Sequence, residues 1–124
     1  MNNAVKEDLI EKILMFGSRA IEDWKNEDVA ALTPERTDNY LSVLSGFSAT
    51  LEEQYANAIK NGAEKWLKLR IDTKTNSITD KMYQVSKEGR LEEDLKRLLK
   101  AVDKIIAACK KRMDRFNREA FNQS

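Results

Sequence analysis

Basic side chains are concentrated in the last quarter of the sequence, where their spacing suits the binding of a polyanion. Residues 96–124 carry nine lysines and arginines but only three acidic residues, for a net charge of +6. Arg97, Lys100 and Lys104 are three and four residues apart, so on a helix they share one face. Such a row of cations can contact successive phosphates and release their counterions. The candidate phosphate-binding residues in this segment are Lys104, Lys110, Lys111, Arg112 and Arg115.

A second basic group lies near the middle of the sequence and has aromatic residues around its cations. Aromatic rings next to cations can stack on unpaired bases, which is how many proteins bind single strands without regard to sequence. Trp66 is one such ring, but it also falls on the apolar face of its predicted helix, which favours a place in the core. Tyr55 and Tyr83 are the other rings of this region. The candidate binding residues of this group are Lys65, Lys68, Arg70 and Lys74.

The residue types on which most enzymes depend are scarce. The sequence has no histidine and a single cysteine, which removes the commonest general base and the usual ligand sets of zinc sites. The four glycines, at positions 17, 46, 62 and 89, are too far apart to form a phosphate-binding loop. The acidic residues are mostly adjacent pairs, which point in different directions on a helix and suit a solvated surface. We expect a protein that is not an enzyme, with no catalytic residue, no metal site and no cofactor.

The composition favours long helices. Hydrophobic residues make up 41% of the chain and charged residues 35%, and proline occurs once. A β-sandwich or barrel needs turn residues every few positions, so this composition argues against both. The apolar fraction is also high enough to argue against disorder of the whole chain. We predict a single all-α domain over residues 1–124.

Apolar residues recur at three- and four-residue steps in four segments, which predict helices at about 3–24, 34–72, 78–88 and 90–120. Thr33 and Pro34 mark the start of the second helix, because threonine can cap a helix and proline fits its first position. If neither Gly46 nor Gly62 bends it, this helix of about 39 residues is roughly 58 Å long. The molecule must then be elongated, or it must pack against other copies of itself.

The third and fourth helices have their own boundary signals. Ser77 and Asp80 resemble a capping box at the start of the short third helix, and Gly89 suits its C-terminal cap.

The fourth helix has a near-heptad apolar face, which is typical of a bundle or coiled-coil seam. This face includes Cys109, which we therefore predict to be a buried structural thiol. Three long helices and one short helix together predict an elongated antiparallel, coiled-coil-like bundle. The predicted seam residues are Leu95, Leu98, Val102, Ile105, Cys109 and Met113.

Charge is distributed unevenly, although the net charge of the whole chain is only +1. Residues 1–53 have a net charge of −6 and residues 54–124 a net charge of +7. Such asymmetry suggests contact with nucleic acid or a membrane, or head-to-tail self-association. No stretch approaches the roughly 18 apolar residues that span a bilayer, and residues 1–8 lack the apolar run of a signal peptide. We therefore expect a cytoplasmic protein without a membrane partner.

The order of these features resembles that of a known class of proteins. The segments that carry the resemblance are EKWLKLRID at 64–72, SITD at 77–80 and VDKIIAACKKR at 102–112. Over roughly residues 50–120 the chain is similar to the small helical accessory proteins encoded beside phage recombination genes, typified by the recombination mediator of large tailed phages. The resemblance implies a non-enzymatic mediator that oligomerises, binds single-stranded DNA and helps a recombinase to displace single-strand-binding protein. If a phage encodes it, the protein would act in the host cell cytoplasm. By matching position, the DNA-binding residues would be Lys65, Lys68, Arg70, Lys74, Lys110, Lys111, Arg112 and Arg115.

Three hypotheses about function follow from the sequence. The first is an oligomeric helical protein that binds single-stranded DNA in phage-type recombination or replication, with a recombinase or single-strand-binding protein as a further partner. The second is a helical adaptor or inhibitor of a protein partner, such as a host defence or nuclease component. In that case the acidic first helix would imitate nucleic acid. The third is a structural bundle protein with neither activity.

Overall fold

The computed structural model describes residues 3–123 of the chain, with the side chains of residues 6–122. The described part is built of helices, which confirms the predicted all-α class with three long helices and one short one. The observed helix ends lie within a few residues of the predicted ones. The helices are α1 (Asn3–Lys25), α2 (Pro34–Ile71), α3 (Asn76–Val85) and α4 (Lys87–Gln123), with a short 3-10 helix at Val29–Ala31 between α1 and α2.

Helix α2 begins where the sequence places it. The Thr33 hydroxyl accepts a hydrogen bond from the Arg36 backbone N–H at 3.2 Å, and Pro34 occupies the first position. Thr37 is fully buried, and its hydroxyl donates to the Thr33 carbonyl at 2.8 Å. The chain remains α-helical through both internal glycines, so α2 is a single helix of 38 residues. Its length is roughly 57 Å at the rise of an α-helix.

The other three helices pack along α2 in a defined direction. Ser48 of α2 contacts Asp103 of α4, and Gly62 lies beside Glu92, so α2 and α4 are antiparallel. Helix α1 is also antiparallel to α2 and therefore runs in the same direction as α4. Helix α3 folds back along the last turns of α2, where Trp66 contacts Asp80. The result is the predicted elongated antiparallel bundle.

The core lies mainly between α2 and α4. The α4 residues Leu95, Val102 and Cys109 are at most 1% exposed. Five of the six predicted seam residues are buried, and the sixth, Met113, is half-buried. The seam is thus covered within one chain, so it does not need a second copy to bury it. The α2 side chains packed against it include Leu44, Leu51 and Ala58.

Helix α1 contacts α2 through aromatic side chains at one end and leaves a groove at the other. Tyr40, Phe47, Gln54 and Asn61 follow one another at seven-residue steps along α2. Tyr40 makes an edge contact with Trp24 at 5.2 Å between ring centroids, and the ring of Phe47 lies 4.7 Å from that of Phe16. Gln54 and Asn61 instead line a groove of about 490 Å³ beneath the first turns of α1. Replacing aromatic residues with amides at the same heptad position explains why the contact opens.

Two predicted helix boundaries are wrong. Ser77 does not cap α3; Thr75 does, and its hydroxyl accepts from the Ile78 backbone N–H at 3.2 Å. Asp80 is not part of a capping box, because its carboxylate accepts a hydrogen bond from the Trp66 indole N–H at 2.8 Å. The helix therefore starts at Asn76, closer to the turn than the pattern indicates.

Gly89 is not the C-terminal cap of α3. Helix α3 ends at Val85, and Gly89 is buried in the first turn of α4 with its N–H donating to the Ser86 hydroxyl at 3.1 Å. A Cβ at position 89 would overlap the carbonyl group of Tyr83. Glycine is needed here because two helix ends approach closely, and its φ is negative like those of the other described glycines.

Candidate nucleic-acid interface

The outward face of α4 carries a row of cations. Starting at Arg97, steps of three, four, three, four, four and three residues reach positions 97, 100, 104, 107, 111, 115 and 118, and every one except Ala107 is basic. The second of the two successive four-residue steps passes over Asp114, which lies at the edge of this face. We call Arg97, Lys100, Lys104, Lys111, Arg115 and Arg118 the basic row. All six side chains are exposed, because the buried residues of α4 occupy the opposite face. The row is roughly 31 Å long at the rise of an α-helix.

Most cations of the basic row are not neutralised by the protein. Arg97 forms a surface ion pair with Glu93 at 3.0 Å, one turn before it. The other five have no acidic group within ion-pair distance among the described side chains. Three acidic residues lie beside the row. Asp103 accepts a hydrogen bond from the Ser48 hydroxyl at 2.8 Å on the flank that faces α2. Asp114 and Glu119 lie near the end of the row and form no ion pair among the described side chains. The row is therefore a line of positive charge open to solvent.

The predicted binding residues of α4 divide into two groups. Lys104, Lys111 and Arg115 belong to the basic row, and Lys110 is exposed beside it. Arg112 faces inward instead. Its guanidinium donates to the Leu32 carbonyl at 2.9 Å and lies 5.0 Å from the centroid of the Phe116 ring, while its Nε is buried without a hydrogen-bond partner. Arg112 thus fastens the connection between α1 and α2 onto α4.

The second predicted group lies at the other end of the molecule. Lys68 and Lys74 are exposed, whereas Lys65 is half-buried. Arg70 donates to the Asn76 side-chain oxygen at 2.7 Å and to the Thr73 carbonyl at 2.8 Å, so its guanidinium holds the turn between α2 and α3. Because α2 and α4 are antiparallel, this group lies near the start of α4. It is roughly 36 Å along the axis from Lys111, and the two predicted groups do not meet in one chain.

The three aromatic rings near the second basic group make contacts within the chain. The Trp66 indole N–H donates to Asp80 at 2.8 Å, and the Tyr83 hydroxyl donates to Glu92. Burial, together with the hydrogen bond to Glu92, raises the pKa of the Tyr83 hydroxyl. Tyr55 is half-buried and shares a groove with Tyr83. None of the three lies on the basic row, so the row offers contacts to phosphates without a platform for bases.

The sequence-based candidate set omits three residues of the basic row. Arg97, Lys100 and Arg118 share the outward face with Lys104 and Lys111, and they continue it in both directions. The signal for them is the three- and four-residue spacing, extended over the whole of α4.

The described part of the chain has no group of side chains placed to bind a metal ion. Nowhere in it do three or more Asp, Glu, His or Cys side chains come together closely enough to do so. None of the helices within residues 3–123 combines the length and apolar character needed to cross a bilayer. The basic row is the feature with the clearest capacity to bind a ligand. No protein family, curated protein or solved structure matches this chain.

Proposed function

We propose that this protein is a non-enzymatic nucleic-acid-binding protein that holds single-stranded DNA along the basic row of α4. By the resemblance of residues 50–120, it would act as an accessory protein of phage-type recombination or replication. The single observation that carries the DNA-binding proposal is the composition of the outward face. Six exposed cations follow one another along this face between 97 and 118, with Asp114 at its edge.

The basic row brings like charges within one turn of each other, with acidic residues beside it and not on it. Like charges three or four residues apart on a helix destabilise it by about 0.2–0.5 kcal/mol per pair. The row contains the like-charge pairs Lys100–Lys104, Lys111–Arg115 and Arg115–Arg118. Asp103 and Asp114 lie beside these pairs and offset part of the repulsion. A face that only needed to be soluble would be equally well served by mixed charges. Binding to a polyanion would relieve the repulsion.

The geometry of the row favours a single strand over a duplex. One turn of B-DNA is about 34–36 Å long, and its phosphates follow a helical path around the axis. A straight row of roughly 31 Å lies beside one duplex backbone for only part of that distance. A flexible single strand can instead lay successive phosphates along the whole row. Since no stacking ring lies on the row, we expect binding that tolerates any base sequence.

Fluorescence anisotropy with a labelled single-stranded oligonucleotide tests the proposal. Non-specific binders reach a Kd of about 100 μM or tighter at physiological salt. If six phosphates are neutralised, the logarithm of the binding constant should fall with the logarithm of salt concentration at a slope of roughly −4 for a single strand. A duplex of the same length, measured in parallel, should bind more weakly.

A matched pair of variants locates the site. The triple variant K104E/K111E/R115E reverses the charge of half of the basic row. It should bind DNA more weakly, and the slope of its salt dependence should be shallower, at roughly −2. The control K12E/R19E/K25E makes the same change in net charge on exposed residues of α1 and should keep the slope of the parent. Equal losses in both variants would show that net charge, and not the row, governs binding.

Absence of binding at low salt would refute the proposal. The alternative predicted from the sequence, an adaptor or inhibitor of a protein partner, would then be the better account. Under that alternative, reversal of the basic row changes no DNA binding, because the parent protein has none to lose.

A further inference from the structure

Residues 65–85, which we call the tip, expose more large apolar side chains than any other part of the described chain. Ile71 is 83% exposed, and Val85 is 64% exposed. Ile71 lies one turn after Leu67 on α2, and Val85 follows Ile78 and Met82 on one face of α3. Each helix of the tip thus presents a row of exposed apolar side chains, and clusters of this kind mark interaction sites in folded proteins.

The tip is held together by side-chain hydrogen bonds, so its exposure is a property of the fold. Trp66 bonds to Asp80 across the two helices, and Arg70 bonds to Asn76 and to the Thr73 carbonyl. These hydrogen bonds hold α3 against the side of α2 that carries Trp66 and Arg70. Leu67 and Ile71 remain uncovered by any described part of the chain.

The tip is also positively charged. Between residues 65 and 81 there are five basic and two acidic residues, for a net charge of +3. Two tips would therefore repel each other, and an acidic partner is favoured. Lys68, Lys74 and Lys81 are the exposed lysines of this region.

A complementary surface exists at the opposite end of the same chain. Residues 19–39, which we call the acidic end, contain six acidic and three basic residues, for a net charge of −3. Beside them α1 and α2 enclose a groove of about 440 Å³ lined by Phe16, Ala20, Tyr40 and Val43. Phe16 is 45% exposed and Val43 is 46% exposed, so the groove presents apolar surface to solvent. The charged residues of its lining are Arg19, Asp23 and Arg36, and Arg36 is paired with Glu27. The negative charge of the acidic end therefore lies around the groove and not in its lining.

The tip cannot reach this groove within one chain. Leu67 and Leu44, which also lines the groove, lie on the same unbroken helix α2. They are separated by roughly 35 Å at the rise of an α-helix. Only a second copy can bring the two surfaces together.

We propose that the tip of one copy docks into the groove at the acidic end of a second copy. Leu67 and Ile71 enter the groove, while the tip lysines face the carboxylates around it. The contact is heterologous, so every docked pair leaves a free groove at one end and a free tip at the other, and the assembly grows into a ring or an open filament. Neither surface includes the basic row, so the inference does not depend on the proposed function.

Sedimentation velocity over a range of protein concentration and salt tests this contact. The parent protein should form species heavier than the 14.3 kDa single chain as concentration rises. Salt should weaken these assemblies, because charges more than about 8 Å apart are screened at physiological ionic strength.

Two variants disrupt the contact by charge repulsion. Ile71→Glu places a negative charge against the acidic end, and Val43→Lys places a positive charge against the tip. Each variant should remain a single chain. Met15→Glu, at an exposed apolar residue outside both surfaces, should assemble like the parent.

Mixing the two disrupted variants distinguishes this contact from a symmetric one. The intact groove of the Ile71→Glu protein should accept the intact tip of the Val43→Lys protein, giving a species with equal amounts of both. Circular dichroism of each variant checks that the exposed substitutions leave the helices intact.

A parent protein that stays a single chain throughout would overturn the proposal, and an acidic partner of another kind would then be the better occupant. Assembly that survives Val43→Lys but not Ile71→Glu would also overturn it, because the contact would then be tip to tip. The variant K104E/K111E/R115E should assemble normally, so failure of DNA binding and failure of assembly are separate results.

Discussion

The inner and outer faces of α4 have opposite chemistry along the same stretch of helix. The inner face carries Leu95, Val102 and Cys109, which are at most 1% exposed, and the outer face carries the basic row. Burial of the inner face supplies hydrophobic stabilisation, whereas the outer face makes few contacts within the chain. The comparison suggests that the two faces can be altered independently. Changes on the inner face should alter stability, and changes on the outer face should alter binding.

The largest difference should come from truncating neighbouring residues on the two faces. Leu95→Ala removes a fully buried side chain from the seam, so the free energy of unfolding should fall by about 2–5 kcal/mol. Lys96→Ala, at the exposed position next to it, should change that free energy by less than about 0.5 kcal/mol. Chemical denaturation of both proteins measures the difference. Similar losses would mean that the faces are not energetically distinct.

Two glycines extend the comparison to the helix backbone. Gly89→Ala should lower the free energy of unfolding by about 1–3 kcal/mol, because its Cβ would meet the Tyr83 carbonyl where α3 and α4 join. Gly46→Ala should raise it by about 0.5–1 kcal/mol, since its Cβ would enter open space and alanine favours the helix. Thermal or chemical unfolding of both variants gives the two signs. Destabilisation by Gly46→Ala would show a constraint on α2 that its open surroundings do not explain.

The smallest effect concerns the ionisation of the inner face. Burial raises the pKa of the Cys109 thiol, and the nearby Arg112 opposes this only in part. Above the ordinary thiol pKa the unfolded chain loses its proton while the folded chain keeps it, so stability falls as pH rises through this range. The free energy of unfolding should therefore decline more between pH 8 and pH 10 for the parent than for Cys109→Ala. Parallel pH profiles of the two proteins would exclude a contribution from this thiol.

Periodicity in the sequence was sufficient to predict the helices and the buried face of α4. Leu95 and Val102 recur at heptad spacing, and that spacing places them on one side of a helix in any context. Thr33 and Pro34 likewise define the start of α2 through interactions that are local in sequence. Boundaries that depend on another helix were predicted less well. Gly89 is the clearest case, because the approach of Tyr83 determines its role.

What the sequence determined by itself is the local part of this protein: the all-α class, the seam of α4 and the shared face of Lys104 and Lys111. These follow from the geometry of a single helix, which the order of residues fixes. Only the tertiary structure decided that Arg112 and Trp66 are engaged inside the chain and that the two basic groups lie at opposite ends of the rod. Those outcomes depend on the direction and register in which separate helices pack. Register is set by the fit of side chains distant in sequence, which no local spacing records.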